Sequence, residues 1–170
     1  MKQLLLLLIA TALTACTHKV TIQQGNVITQ SQYEQLEKGM SKEDVQICIQ
    51  EHIDGARRTV EAGFDIVEIS GIVGYLISNF ISSYTNKRTD EYGGDIKGRC
   101  KFMTDLIEGI RKECGDIPIG IRLCGEELLD DRGGNTPEES LESIKLAEAA
   151  GADYLTVTAG WQESMIPVIT

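Results

Sequence analysis

Three short stretches, 70–75, 122–126 and 159–163, each close or follow an apolar run and carry polar side chains that could do chemistry. Arg122 stands out among them. A guanidinium at the end of a buried strand is costly to desolvate unless an anion meets it, so its position points to a bound ligand or to pairing with Glu68 or Glu126. Tyr75 ends the first stretch and Gln162 lies in the third. The cysteines add no metal chemistry: Cys48, Cys100, Cys114 and Cys124 form no C-x-x-C pair and lack the histidine spacing of zinc sites, so no metal site is expected.

The elements that must position these residues repeat. Ile53, Ala56 and Val60 fall at helical spacing, Gly63 ends that helix, and 64–69 reads as a buried strand. Phe102, Leu106, Ile107 and Ile110 line a second helix that stops at Gly115, before a strand over 117–123. In the third unit Thr136 caps, Pro137 takes the first helical position and Glu139 completes a capping box. Leu141, Ile144 and Ala147 are expected to face inward, and a strand over 154–158 follows Gly151. The turns at 61–65 and 149–153 are nearly the same sequence in the same role. Alternating helix and apolar strand without a hairpin signal means an α/β fold with parallel strands covered on both faces. An open doubly wound sheet and a (β/α)8 barrel both satisfy that pattern; no G-x-G-x-x-G follows a strand, so a dinucleotide fold gains no motif support. In a barrel, chemistry gathers where strands end, which is where the three stretches lie.

The net charge of -10 belongs to the second part of the chain: residues 1–45 hold four basic and four acidic side chains, residues 46–170 twelve against twenty-two. Such a surface repels phosphate backbones, so nucleic acid is a poor partner. The start differs in kind. Lys2, the apolar run 4–10 and Leu13-Thr14-Ala15-Cys16 have the form of an export signal over 1–16, too short for a stable membrane span. The ending resembles the lipobox of bacterial lipoproteins, which implies lipidation at Cys16 and an outer-membrane anchor facing the periplasm; without processing the chain would be cytoplasmic. Residues 17–45, with Ile22-Gln23-Gln24-Gly25-Asn26 and Lys38-Gly39-Met40-Ser41, resemble the N-terminal arm of the small lipoprotein of the outer-membrane β-barrel assembly machine, the BamE family. Ser41 with Asp44 three residues on has the shape of a helix N-cap.

Residues 46–170 carry a second resemblance. The run Ala62-Gly63-Phe64-Asp65-Ile66-Val67-Glu68-Ile69, then Gly74-Tyr75-Leu76-Ile77, Asn79-Phe80 and Asn86-Lys87-Arg88-Thr89-Asp90-Glu91-Tyr92-Gly93-Gly94 with Arg99, resembles the fourth strand and following loop of the Old Yellow Enzyme flavin oxidoreductases. Gly160-Trp161-Gln162-Glu163 with Ile166-Pro167 is similar to their 2,4-dienoyl-CoA reductase and 2-enoate reductase branch. The resemblance implies a partial (β/α)8 TIM barrel, about three strands of eight. It also implies an FMN cofactor, NAD(P)H as hydride source and an activated alkene as substrate, with Tyr75 as catalytic proton donor and Arg122 as flavin ligand. Asn86, Arg88, Asp90, Tyr92 and Arg99 read as loop structure. Ser70, Val73 and Gln162 depart from the family's usual hydrogen-bonding residues, and valine cannot donate at all. The stretch alone is therefore expected to be an inactive fragment, with open strand edges that favour self-association.

Two alternatives stay open: a non-catalytic envelope lipoprotein, and a joining of two unrelated genes, since the leader points to the envelope and the barrel stretch to cytosolic flavoenzymes. Cys16→Ala is expected to leave the chain uncleaved and unacylated, read from the mass of its N-terminal peptide. An unmodified Cys16 in wild-type chain from an envelope fraction would remove the lipidation reading.

Overall fold

The computed structural model describes residues 39–161 and Ser164; Cys16, the leader and arm through residue 38, and Gln162 lie outside the described residues. Helix α1 (Lys42–Glu61) opens on Ser41, whose hydroxyl accepts from Asp44 N at 3.1 Å while the Asp44 carboxylate accepts from Ser41 N at 3.0 Å. That capping box satisfies two N-terminal donors and contributes about 1 kcal/mol. Val45, Ile49, Ile53 and Ala56 form the buried stripe of α1, which runs unbroken through positions 45 and 46.

Strand β1 is Val67–Gly71, three residues later than its sequence suggests. The cause lies in the end of α1. Phe64 N donates to Thr59 O and Gly63 N to Val60 O, a Schellman closure that uses up the residues expected to begin the strand and leaves Phe64 and Ile66 exposed. The same closure recurs at the end of the last helix, where Ala152 N donates to Ala147 O and Gly151 N to Glu148 O. The two similar turns in the sequence are thus one backbone motif used twice.

A short helix α2 (Leu76–Ile81) follows Tyr75, and after a long loop comes α3 (Ile96–Cys114), capped by the Asp95 carboxylate on Gly98 N at 2.9 Å. Strand β2 (Ile119–Glu126), a 3-10 turn (Asp130–Arg132), α4 (Pro137–Ala149) and β3 (Tyr154–Ala159) complete the order. Thr136, Pro137 and Glu139 form the capping box as the sequence indicates. Leu141 does not face inward; it is 52% exposed, and the buried face of α4 is Ser140, Ser143 and Ala147. Small side chains at that i, i+3, i+7 spacing let the helix lie close to the sheet, so the apolar phase read from Leu141 is displaced by one position.

The strands pair in the order β1-β2-β3, all parallel, each beside its sequence neighbour, an order that advances without reversal as it does round a barrel. Their faces differ. Ile69, Ile119, Ile121 and Leu123 are buried on the side carrying the helices, where a Cβ at Gly71 would crowd Leu123 and Ile77 of α2. The alternate positions Glu68, Ser70, Arg122 and Thr156 form a polar face, so the described strands are not apolar on both sides as expected. The helical layer is centred on α3, where Phe102, at 0% exposure, stacks on Phe80 with ring centroids 4.7 Å apart. Phe102→Ala is expected to lower unfolding free energy by about 3–5 kcal/mol in urea titration, the usual cost of an aromatic cavity; a loss under about 1 kcal/mol would show that this layer can collapse around the gap.

Candidate active site

The polar face of the sheet converges on one carboxylate. Glu68 pairs in register with Gly120 and, through it, Tyr154; Arg122 pairs with Ser70 and Thr156. Arg122 Nη2 lies 2.7 Å from Glu68 Oε1, and Thr156 Oγ1 donates to Glu68 Oε2 at 3.1 Å. The Tyr154 phenol is raised above its ordinary range, first by desolvation and then by the adjacent Glu68 carboxylate. Its ring crosses β2 at Gly120, where an added Cβ would fall 2.0 Å from the ring, so any larger residue would push Tyr154 off the face. Of the two partners open to Arg122 in the sequence, Glu68 is the one the structure supplies. The pairing does not satisfy the guanidinium: Arg122 Nε is shielded from solvent and has no acceptor. A buried donor without a partner costs about 1–3 kcal/mol, which a ligand acceptor would recover.

Tyr75 stands in a braced turn at the carboxyl end of β1. Its N–H donates to Ile72 O at 3.0 Å, Gly74 N donates to Ser78 Oγ at 3.0 Å, and the Asn79 side-chain amide donates to Gly74 O at 2.6 Å. Gly74, at φ +90, backs onto the buried indole of Trp161, which comes from the end of β3. The turn also holds Val73 at φ 49, a backbone state that β-branched residues rarely adopt. These constraints fix the backbone of Tyr75 and leave its ring 60% exposed. Tyr75 lies in the loop that follows β1, and Arg122 lies within β2 opposite Ser70 of β1.

The long loop after α2 is internally satisfied, as its composition suggests. The Asn86 amide donates to Phe80 O and Tyr92 O, and Arg88 Nε donates to Asp90 Oδ1. Arg99 is buried and gives Nε to Ile81 O, Nη1 to Gly94 O and Nη2 to both Asn135 and Glu139. Its neighbour Glu127 escaped the sequence reading: it is 3% exposed and accepts from Ser82 Oγ and Asn135 N. Nothing in Glu126-Glu127 distinguishes the buried acid from the exposed one except the bulge between Cys124 and Glu126, which turns the chain there. Among the described residues no group of three or more His, Cys, Asp or Glu is arranged to hold a metal.

A parallel sheet advancing strand by strand, with helices on one face and polar groups on the other, is the arrangement found in a segment of a (β/α) barrel. The chain belongs to the NADH:flavin oxidoreductase / NADH oxidase family, whose model matches residues 10–170. It is 37% identical over 132 residues to a metal reductase of Desulforamulus reducens, covering 77% of this chain and 20% of that protein. It is 41% identical over 123 residues to an NADH oxidase of Thermoanaerobacter brockii, covering 72% and 19% respectively. Among solved structures, a 2-naphthoyl-CoA reductase in complex with 2-naphthoyl-CoA matches at TM-score 0.71 and 45% identity, over 74% of this chain and 19% of that one. The Old Yellow Enzyme homologue of Zymomonas mobilis matches at TM-score 0.63 and 25% identity, over 76% and 39%. The chain thus spans about a fifth of the length of both curated relatives.

Burial pushes the Glu127 carboxyl above its ordinary range, outweighing the hydrogen bonds from Asn135 and Ser82 that pull it down. The folded state therefore holds that proton more tightly than the unfolded state. This acid costs no stability at low pH, and the penalty grows as pH rises through the ordinary value of 4.5 toward the folded one. Glu127→Gln, whose amide oxygen can keep both hydrogen bonds, is expected to unfold at higher urea than wild type near about pH 8 and to converge with it near about pH 4. Identical pH profiles for the two proteins would contradict the buried ionisation.

Proposed function

We propose that this chain is part of an FMN-dependent oxidoreductase that uses NADH or NADPH to reduce an activated alkene. The observation that carries the reading is Arg122: a cation on the polar face of the sheet, held by a single carboxylate, with a shielded Nε that lacks an acceptor. This donor set fits FMN, because reduced flavin gathers negative charge along its N1–O2 edge and a fixed guanidinium both donates to that edge and offsets its charge. Bound FMN would supply the hydride that reaches one alkene carbon.

Tyr75 does the complementary work. Its phenol gives a proton to the other alkene carbon, and its exposure allows the phenolate to recover a proton from water. The braced 72–79 turn fixes the tyrosine backbone, which limits the phenol to the reach of its two side-chain torsions. Ser70 remains as the hydroxyl able to meet a substrate carbonyl beside the strand end, while Val73 contributes shape alone. Conjugated ketones and enoyl or aroyl thioesters are the substrate class this arrangement suits, and the similar reductase bound to 2-naphthoyl-CoA supports the thioester end of that range.

A second reading is an envelope lipoprotein tethered through Cys16, favoured by the Leu13-Thr14-Ala15-Cys16 ending. No helix among the described residues is long and apolar enough to cross a membrane, so under that reading the acyl chains are the anchor. Open strand edges add self-association as a further proposal, since unpaired edges template pairing with a second copy.

In the whole oxidoreductase of which this chain is proposed to be part, assayed with FMN and NADPH, Tyr75→Phe is expected to slow alkene reduction about 100- to 10,000-fold, the usual share of a general acid. Flavin reduction by NADPH, followed by stopped-flow absorbance, should stay within about twofold, because Tyr75 acts only in the alkene step. Equal alkene turnover by Tyr75→Phe and wild type would remove Tyr75 from the chemistry.

A further inference from the structure

A purely structural arginine–carboxylate pair has a well-defined best geometry: two parallel N–H···O bonds, one from Nε and one from Nη2. Glu68 and Arg122 do not use it. Glu68 Oε1 meets Nη2 at 2.7 Å, and its other oxygen is taken by Thr156 Oγ1 at 3.1 Å, so the carboxylate is anchored to β3 and is not free to swing onto Nε. Tyr154 closes the remaining side, its ring seated where Gly120 leaves room. The result is a carboxylate fixed by two neighbouring strands, gripping one corner of the guanidinium while Nε keeps its hydrogen for something else.

We infer that Glu68 is the positioning residue for Arg122: it orients the guanidinium for the flavin and sets how much positive charge the flavin experiences. The inference rests on the flavin reading above and deepens it. Two effects follow from one contact. Orientation depends on the carboxylate oxygens as acceptors, and an amide oxygen in the same place retains part of it. Charge depends on the full negative charge, which offsets Arg122 and so limits how strongly the site favours reduced, anionic flavin over oxidised flavin. Thr156 serves Glu68 by holding its second oxygen, one step further from the cofactor.

The test uses the full chain labelled with nitrogen-15 arginine, with the Arg122 Nε–Hε signal assigned by its loss in Arg122→Lys. In wild type that signal should be sharp and protected from solvent exchange; in Glu68→Ala it should broaden into the solvent-exchanging set, and in Glu68→Gln it should remain. FMN titrations on the same proteins should show oxidised FMN bound at least tenfold more weakly by Glu68→Ala and within about threefold of wild type by Glu68→Gln. In Glu68→Gln the preference for reduced over oxidised FMN should rise about tenfold, equivalent to a midpoint about 30 mV more positive for the two-electron couple. A structural role alone would leave that preference unmoved. An Arg122 signal and FMN affinity unchanged in Glu68→Ala would overturn the positioning role, with circular dichroism confirming that each variant is folded. An Arg122 signal that depends on Glu68 but ignores FMN would overturn the flavin function, and with it the purpose assigned to the clamp, while showing that the clamp itself exists.

Discussion

Alternation along three parallel strands in fixed register is the constraint on which the rest depends. Because side chains point to opposite faces at successive positions, the register that buries Ile119, Ile121 and Leu123 under the helices also delivers Glu68, Arg122 and Thr156 to a shared polar face. A slip of one residue in β2 would drive Arg122 into the helical layer and bring Ile121 or Leu123 among the polar groups. Hydrophobic burial on one side thus enforces the polar cluster on the other. The fold does not merely support the site; the burial that stabilises it is the same condition that assembles the charged cluster.

The helices set where each strand may begin. The Schellman closures after α1 and α4 fix the direction of the chain as it enters β1 and β3, and Asp153 then ties the second entry to β2 by accepting from Ile119 N at 2.7 Å. At the other end of the strands, polar networks join apolar packing in holding the loops. Arg99 collects four acceptors, from the end of α2, the loop and the start of α4, and Asn135 and Glu127 extend the same network beyond the end of β2. Such buried networks are costly if any member is lost, which makes the carboxyl-end loops well defined around the Tyr75 turn.

Much of this was legible in the sequence, for identifiable reasons. Capping residues and helix stops act over three or four positions, so Ser41, Thr136, Pro137 and Glu139 announced their elements directly. Arg122 was conspicuous because a charge inside an apolar run needs an explanation. Residues whose role depends on distant partners were not legible. Phe64 looks like a strand residue until the closure of α1 consumes it. Leu141 looks like core until the packing of Ser140, Ser143 and Ala147 rotates the helix. Glu68 and Glu126 were equal candidates for Arg122, and the choice follows from a register that no local signal encodes. Tyr75 was placed by resemblance, and the braced turn that holds its backbone depends on Ser78 and Asn79 contacts that no local signal announces.

The central claim is that the polar face of this sheet is built to meet a flavin through Arg122. The most direct measurement is the FMN dissociation constant of the full chain against that of Arg122→Ala, by quenching of flavin fluorescence. The account predicts saturable binding by the wild type and an affinity at least about tenfold weaker in the variant, the usual consequence of removing a charged hydrogen-bond donor. Equal affinities, or no saturable binding by the wild type, would contradict it.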